Sequence, residues 1–291
     1  METPKIVVIL GAKPFHDFWT HVADGAIASG QRVGFAVDIV NVATVSELSA
    51  AITAAKQDPL VVGVVAPLFF PEENAADFTS LVSPPNPKPL VTINSGLGKD
   101  VGQITHIGSN ATASGYDAAA YFNKINKQHA VCLVFVAPNT QAPINAGLSD
   151  RCAAAEARFN GKFSVAEVST TAEIAAVLAA DPTIDAVYAT GQAELDHDPV
   201  AALLSLDDAD SRSISFVYHD LSSLGIQQLQ AGQVDWIIGQ QPYLQGSLPV
   251  MILFLKIQFG ETPLNKIIQT GPIFYDSETI IDQIPFKDVT W

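Results

Sequence analysis

The sequence predicts an α/β protein of two lobes, each built on a doubly wound parallel sheet. Short, wholly apolar segments alternate along the chain with longer segments whose apolar residues recur at helical spacing. This alternation is typical of parallel βαβ units. It begins again after residues 105–110, and one twisted sheet rarely holds so many strands. The 291 residues are also enough for two hydrophobic cores.

The predicted strands are short apolar segments, as expected for strands buried on both faces of a parallel sheet. In the first half they are Lys5–Leu10, Val33–Asp38, Leu60–Val65, Leu90–Ile93 and Thr105–Gly108. In the second half they are Ala130–Val136, Ser164–Val168, Asp185–Thr190, Ser213–Tyr218 and the apolar segment that ends at Gln240 and Gln241.

Helices are predicted between these strands from apolar spacing and from end signals. Two helices begin with capping boxes, Thr44 with Glu47 and Thr170 with Glu173. The first helix is expected to end at Gly30, and another to run from Asp220 to Ala231. The last helix is expected to open at Pro242 and end at Gly260. One of its faces carries Leu244, Leu248, Met251, Leu255 and Phe259, and a short tail through residues 271–275 follows.

Composition excludes several classes of partner. The formal charge of -15 repels phosphate backbones, so nucleic acid is not an expected partner. No basic run favours an anionic membrane surface, and the longest apolar run is too short to cross a bilayer. The N-terminal residues lack the features of a signal peptide. The protein is therefore expected to be cytoplasmic, or to be an extracytoplasmic protein whose leader is removed.

No metal or cofactor motif is present in the sequence. Cys132 falls in an apolar strand and Cys152 in a helix, without CxxC spacing, so we interpret them as buried free thiols in preference to a disulfide or a metal site. Phosphate-binding glycine motifs and a GxSxG elbow are missing. His197 between Asp196 and Asp198 resembles a catalytic cluster, but we interpret it as a solvated loop. Catalysis is not expected.

Candidate ligand contacts follow the predicted strands, because ligands of such sheets bind beyond the carboxyl ends of the strands. These positions carry amides, aromatic rings and one carboxylate, groups that suit the hydroxyls and C–H faces of a sugar. Asp220 is expected to accept hydrogen bonds from a ligand, with capping of the following helix as the alternative. Gln240 is expected to contact ligand, or else to be solvated. Phe15, Phe18 and Trp19 suit the core as well as a ligand platform, and His16 and Asp17 suit an exposed first turn.

Two motifs carry a resemblance to a known family. Asp24-Gly25-Ala26 after an aromatic pair, and Gln240-Gln241-Pro242-Tyr243-Leu244-Gln245-Gly246 after a buried strand, resemble the type I periplasmic sugar-binding proteins of the ribose-binding kind, over residues 5–280. The resemblance implies two lobes joined by a multi-strand hinge, formed by residues 1–108 with 241–268 and by 109–240 with 269–291. It also implies the ligand contacts Phe15, His16, Asp17, Phe18, Trp19, Asn94, Asn145, Gln192, Asp220 and Gln240.

Both arginines of the family pattern are missing, since its Asp-Arg pair falls on Asn94-Ser95 and its second arginine falls near Asn145. The resemblance therefore implies a monomeric extracytoplasmic receptor that closes on a small neutral sugar or polyol and delivers it to the permease of an ABC transporter. The alternatives are the sensing module of a signalling receptor, the effector domain of a LacI-type regulator, and an enzyme on the same fold.

Overall fold

The computed structural model of the protein describes residues 3–11, 16–70, 72–96, 98–136, 146–191 and 196–280. The chain divides into two compact units. Unit 1 consists of the described residues of Met1–Asn110 and Gln240–Gly271, and unit 2 of those of Ala111–Asn139, Asn145–Gly239 and Pro272–Trp291. Both are α/β units with a six-stranded sheet, as the alternation predicts.

Unit 1 contains a sheet whose paired strands are all parallel. Its strands are β1 (Lys5–Gly11), β2 (Ala36–Val42), β3 (Val61–Pro67), β4 (Leu90–Ile93), β5 (His106–Ser109) and β11 (Ile267–Gly271), in the order β11-β5-β4-β3-β1-β2. Its helices are α1 (His16–Val33), α2 (Val45–Gln57), α3 (Ala75–Val82) and α9 (Pro242–Phe259). Helices α2 and α3 supply apolar residues to one core cluster, and α1 and α9 to another.

Unit 2 repeats this plan, with one antiparallel edge strand. Its strands are β6 (His129–Phe135), β7 (Lys162–Val168), β8 (Ala186–Ala189), β9 (Ser215–His219), β10 (Trp236–Gly239) and β12 (Ile273–Tyr275), in the order β12-β10-β9-β8-β6-β7. Its helices are α4 (Ala111–Lys124), α5 (Ala146–Arg158), α6 (Thr171–Ala180), α7 (Pro199–Leu204) and α8 (Ser223–Gln230). Helices α4 and α5 pack in one cluster, and α6 to α8 in the other.

Helices α1 and α9 of unit 1 cross at two glycines. A Cβ atom added at Gly246 would lie 1.8 Å from the carbonyl oxygen of Val22, and one at Gly25 would lie 2.2 Å from that of Tyr243. Any larger residue at either position would force the helices apart. This close crossing fixes α9, whose first turn follows Gln240, against the remainder of unit 1.

Several expectations about element ends are wrong. Helix α1 continues past Gly30 and ends before Gly34, whose φ of +79° stops it, so that β2 begins later than predicted. The tail expected at residues 271–275 contributes two strands, because β11 extends the first sheet and β12 the second. On α9, the predicted apolar face is largely exposed at Met251, Leu255 and Phe259. The helix instead buries Gln245, Gly246, Pro249, Val250, Ile252 and Leu253.

Of the two predicted capping boxes, the one at α2 is complete and the one at α6 is partial. At α2 the prediction is confirmed, since the Thr44 hydroxyl accepts from the Glu47 amide and the Glu47 carboxylate accepts from the Thr44 amide. At α6 the Thr170 hydroxyl accepts from the Glu173 amide, whereas the Glu173 carboxylate accepts from the Ser169 amide, one residue earlier.

The interpretation of the cysteines as free thiols is wrong. Cys132 in β6 and Cys152 in α5 form a disulfide, with their Cα atoms 5.7 Å apart. The helix crosses directly over the strand, so two side chains that are distant in sequence meet in one core layer.

Among the described residues no helix is long and apolar enough to cross a membrane.

Candidate ligand-binding site

An aromatic group lies at the carboxyl end of β1 in unit 1. The Trp19 indole covers Gly11, where an added Cβ would come within 2.7 Å of the indole Nε1. Its ring meets Phe18 and Phe69 edge to face, with centroids 5.0 and 5.6 Å away. Phe18 and Trp19 are both part-buried, so each contributes to the core while keeping an exposed portion. An exposed ring portion at a strand end is the kind of surface on which a sugar can stack.

Asn94 follows β4 at the same edge and is held by three contacts. Its backbone adopts the left-handed conformation at φ +57°, which asparagine tolerates better than most residues. Its amide N–H donates to the Ile107 carbonyl at 2.9 Å. The side-chain Nδ2 donates to Oε1 of Gln245 at 3.3 Å, and its Oδ1 accepts from the Ser95 hydroxyl at 3.1 Å. The orientation of the Asn94 amide is therefore set by its neighbours.

Gln245 joins two of the predicted contacts, Asn94 and Gln240. It is completely buried on α9, and its Nε2 donates to the Gln240 carbonyl at 3.0 Å while its Oε1 accepts from Asn94. Gln240 itself is 5% exposed. Gln245 was not predicted as a site residue, although it stands in the motif that carries the resemblance. The sequence feature that could have identified it is a glutamine one turn inside an apolar helix.

Asp220 follows β9 at the carboxyl edge of the sheet in unit 2. Its backbone is left-handed, at φ +70°, and its amide donates to the Ile238 carbonyl at 2.8 Å. The alternative that Asp220 caps the next helix is wrong. Helix α8 begins at Ser223, and its N-cap is Ser222, whose hydroxyl accepts from the Gly225 amide. The Asp220 side chain is 14% exposed.

A buried imidazole lies beside Asp220. The Nδ1 atom of His219 is 3.4 Å from Oδ1 of Asp220, and its Nε2 atom is 3.3 Å from the Ser114 hydroxyl of α4. Burial of His219, together with the positive charge of Arg151, lowers its pKa to about 4, although Asp220 acts in the opposite direction. His219 is therefore neutral at physiological pH.

A buried arginine, which was not predicted from the sequence, also lies at this edge. The guanidinium Nη1 of Arg151, on α5, donates to the Thr190 carbonyl at the end of β8. Arg151 is 7% exposed, and its Nε has no hydrogen-bond partner among the residues that the structure describes. The sequence signal was its position on the apolar stripe of α5 with Leu148 and Ala155. The charges of Arg151 and Asp220 act in opposite directions on the pKa of His219.

The remaining predicted contacts cannot be placed. Phe15, Asn145 and Gln192 lie outside the described residues, and His16 and Asp17 form the first turn of α1 without described side chains. Among the described residues no group of three or more His, Cys, Asp or Glu side chains is arranged to hold a metal ion.

The interpretation of His197 as a solvated loop residue is wrong. Its side chain is 12% exposed and its ring packs edge to face on Phe135, with centroids 4.7 Å apart. Asp196 is 80% exposed and contacts the His197 Nδ1 at 3.0 Å. Asp198 is the N-cap of α7, where its carboxylate accepts from the amides of Val200 and Ala201. The cluster therefore includes a structural cap and a packed ring.

Comparisons with known structures give the same fold over nearly the whole chain. A carbohydrate transporter from Acidothermus cellulolyticus 11B, solved in complex with myo-inositol, is 25% identical, with a TM-score of 0.83 over 97% of this chain and 96% of that one. GanP, a glucose-galactose binding protein from Geobacillus stearothermophilus, is 17% identical, with a TM-score of 0.74 over 98% of this chain and 100% of that one. A putative LacI transcriptional regulator from Bacteroides fragilis is 16% identical, with a TM-score of 0.80 over 97% and 99%.

A family model confirms the resemblance found in the motifs. No curated protein matches the sequence significantly. The periplasmic binding protein domain matches residues 86–262, which is more than half of the chain and spans parts of both units. The two α/β units and their mostly parallel sheets are those of the type I periplasmic sugar-binding proteins. The chain belongs to the periplasmic binding protein domain family.

Proposed function

We propose that this protein captures a small neutral polyol or sugar between its two units by hinge closure. The observation that carries the proposal is the similarity, over 97% of the chain, to a carbohydrate transporter solved with myo-inositol. The family is one of binding proteins, and a role without catalysis is part of the proposal.

The described residues at the two sheet edges support a neutral, hydroxylated ligand. Unit 1 offers the part-buried ring of Trp19 and the fixed amide of Asn94. Unit 2 offers the carboxylate of Asp220, which can accept strong hydrogen bonds from hydroxyl groups. Arg151 and Asp220 carry opposite charges at the edge of unit 2, so neither an acidic nor a basic ligand is favoured there.

We further propose that the protein acts outside the cytoplasm, as a monomer, and delivers its ligand to the permease of an ABC transporter. The family supports an extracytoplasmic location. The disulfide between Cys132 and Cys152 also supports it, because disulfides persist in oxidising compartments and are rare in the cytosol. A signalling receptor in place of the permease would use the same ligand site.

A thermal-shift screen tests the proposed ligand class. Myo-inositol, neutral hexoses and pentoses should be compared with gluconate, glucosamine and amino acids. A true ligand at 100 times its dissociation constant stabilises the folded protein by about 2.7 kcal/mol, which raises the melting temperature measurably. Stabilisation by the charged compounds alone would contradict the proposal.

Calorimetry with Asp220→Asn tests the assigned carboxylate. Losing a hydrogen bond to a charged group costs about 1.5–3 kcal/mol, which corresponds to affinity weakened by roughly 10-fold to 100-fold. Asp207→Asn is a matched control, because Asp207 is exposed after α7. Equal affinities for Asp220→Asn and the parent would remove Asp220 from the site.

A further inference from the structure

Three polar atoms inside unit 2 have no hydrogen-bond partner in the part of the chain that the structure describes. They are Nε of Arg151, the hydroxyl oxygen of Tyr188 and Nδ1 of His219. Tyr188 and His219 are completely buried and Arg151 is 7% exposed, so bulk solvent does not reach these atoms. A buried polar group without a partner destabilises the fold, and native proteins rarely leave one. Three such atoms in one unit indicate that a further molecule binds them.

All three side chains lie on the face of the sheet that α4 and α5 cover. Tyr188 belongs to the core cluster that these helices form with the sheet. The Nε2 atom of His219 contacts the Ser114 hydroxyl of α4 at 3.3 Å. Arg151 extends from α5 to the sheet, where its Nη1 donates to the Thr190 carbonyl. The three atoms are therefore enclosed in one layer, between two helices and two strands.

Strand register brings the three groups close together within this layer. Extending the pairing of β8 with β9 by one residue places Thr190 beside His219, on strands about 4.8 Å apart. Tyr188 stands two residues before Thr190, the point that Arg151 reaches. The charge of Arg151 acts on the pKa values of both Tyr188 and His219, as expected of neighbours. The Asp220 carboxylate lies 3.4 Å from Nδ1 of His219 but makes no hydrogen bond to it.

Water is the molecule whose chemistry fits this place. The Nε–H group of Arg151 can only donate, whereas the Tyr188 hydroxyl can donate or accept. A cation would be repelled by Arg151, and an anion by Asp220 and Asp117, whose negative charges act on the Tyr188 hydroxyl. A small neutral molecule that both donates and accepts meets these conditions. Buried waters typically make about three hydrogen bonds to polar groups that otherwise have no partner.

We propose that ordered water, as one molecule or a short chain, binds inside unit 2 and bridges Arg151, Tyr188 and His219. The bridge satisfies the arginine that holds the end of β8 through the Thr190 carbonyl. It thereby supports, from inside the core, the sheet edge at which the candidate ligand contacts of unit 2 lie. The inference goes beyond the proposed function and is independent of which ligand the protein binds.

Replacement of Tyr188 by phenylalanine gives opposite results with and without the water. If water bonds the hydroxyl, Tyr188→Phe removes a hydrogen bond, and the unfolding equilibrium constant should rise about fivefold in urea titrations. If the hydroxyl has no partner, the change removes an unsatisfied buried group and should stabilise the protein. Tyr116→Phe is a matched control, because Tyr116 is 44% exposed on α4 of the same unit and its variant should unfold like the parent. A Tyr188→Phe variant as stable as the parent, or more stable, would overturn the proposal.

A high-resolution crystal structure of the parent tests the same point without any variant. Water density should lie about 2.7–3.2 Å from each of the three atoms, Arg151 Nε, Tyr188 Oη and His219 Nδ1. Crystals grown in bromide in place of chloride test for an anion, because bound bromide gives an anomalous signal. A bromide peak at this place, or density that leaves any of the three atoms without a water, would overturn the proposal.

Discussion

Replacement of Gly246 by alanine tests the close crossing of α1 and α9. The added Cβ would lie 1.8 Å from the Val22 carbonyl oxygen and 3.0 Å from the Ala26 nitrogen. Both neighbours belong to the backbone of α1, so no side chain can rotate away. The helices would have to separate by roughly 1 Å, which would open the packed layer behind them.

The expected cost is that of overpacking in a dense core, about 1–3 kcal/mol. We expect the upper part of this range, because the obstacle is main chain on a second helix. Urea unfolding followed by circular dichroism measures the loss, and the melting temperature should fall by roughly 5 °C for a protein of this size.

Gly147 offers a matched control for this experiment. It is the second residue of α5, and a Cβ added there meets no atom of the described residues within 4 Å. Gly147→Ala should therefore leave stability nearly unchanged, with at most a small gain because alanine favours the helix over glycine. If Gly246→Ala unfolds at the same urea concentration as the parent, the crossing is not as close as described.

Two further predictions concern the disulfide and the buried histidines. Removal of the disulfide by Cys132→Ser with Cys152→Ser should cost about 3 kcal/mol, since the bond closes a loop across a sequence separation of 20 residues. Urea unfolding of the double variant measures this, and unchanged stability would show that the bond does not form. Burial lowers the pKa values of His106 and His219 to about 4 in the folded protein, against an ordinary value of 6.5. As the pH falls, the histidines of the unfolded chain take up protons before those of the folded protein, and this destabilises the fold. Each neutral buried histidine therefore has no cost above pH 6.5, and the free energy of unfolding falls by about 3 kcal/mol for each histidine between pH 6.5 and 4. The free energy of unfolding, measured at pH 7 and at pH 4.5, checks the direction of this change, and greater stability at pH 4.5 would contradict the prediction. His106→Gln should make the free energy of unfolding depend less steeply on pH.

Most of the strands of both units follow from features visible in the sequence, whereas their order in the sheets was not predicted. Leu90–Ile93 was predicted with both ends correct, because an apolar run between a proline-rich connector and Asn94 permits little else. Strand β2 was displaced because it is an edge strand with exposed positions, and its pattern is weaker than that of a buried strand. Strands β11 and β12 were missed because the chain moves from one sheet to the other within residues 271–273.

The candidate site was predicted less completely than the fold. Strand ends directed attention to Asn94, Asp220 and Gln240, since the carboxyl edge of a parallel sheet is known from topology alone. Gln245 and Arg151 were missed because they lie on helices, and their reach toward that edge depends on how α9 and α5 pack. The pairing of cysteines depends in the same way on a helix lying over a strand, which one-dimensional spacing does not encode.

The division of the chain also determines the order in which the protein can mature. Unit 1 draws its last helix and its edge strand β11 from residues that follow unit 2's strand β10. A ribosome therefore releases most of unit 2 while unit 1 still lacks the helix that covers β3 and β4. During synthesis part of the apolar sheet of unit 1 is therefore exposed, although α1, α2 and α3 have already been made. This is the interval in which a chaperone would be most needed.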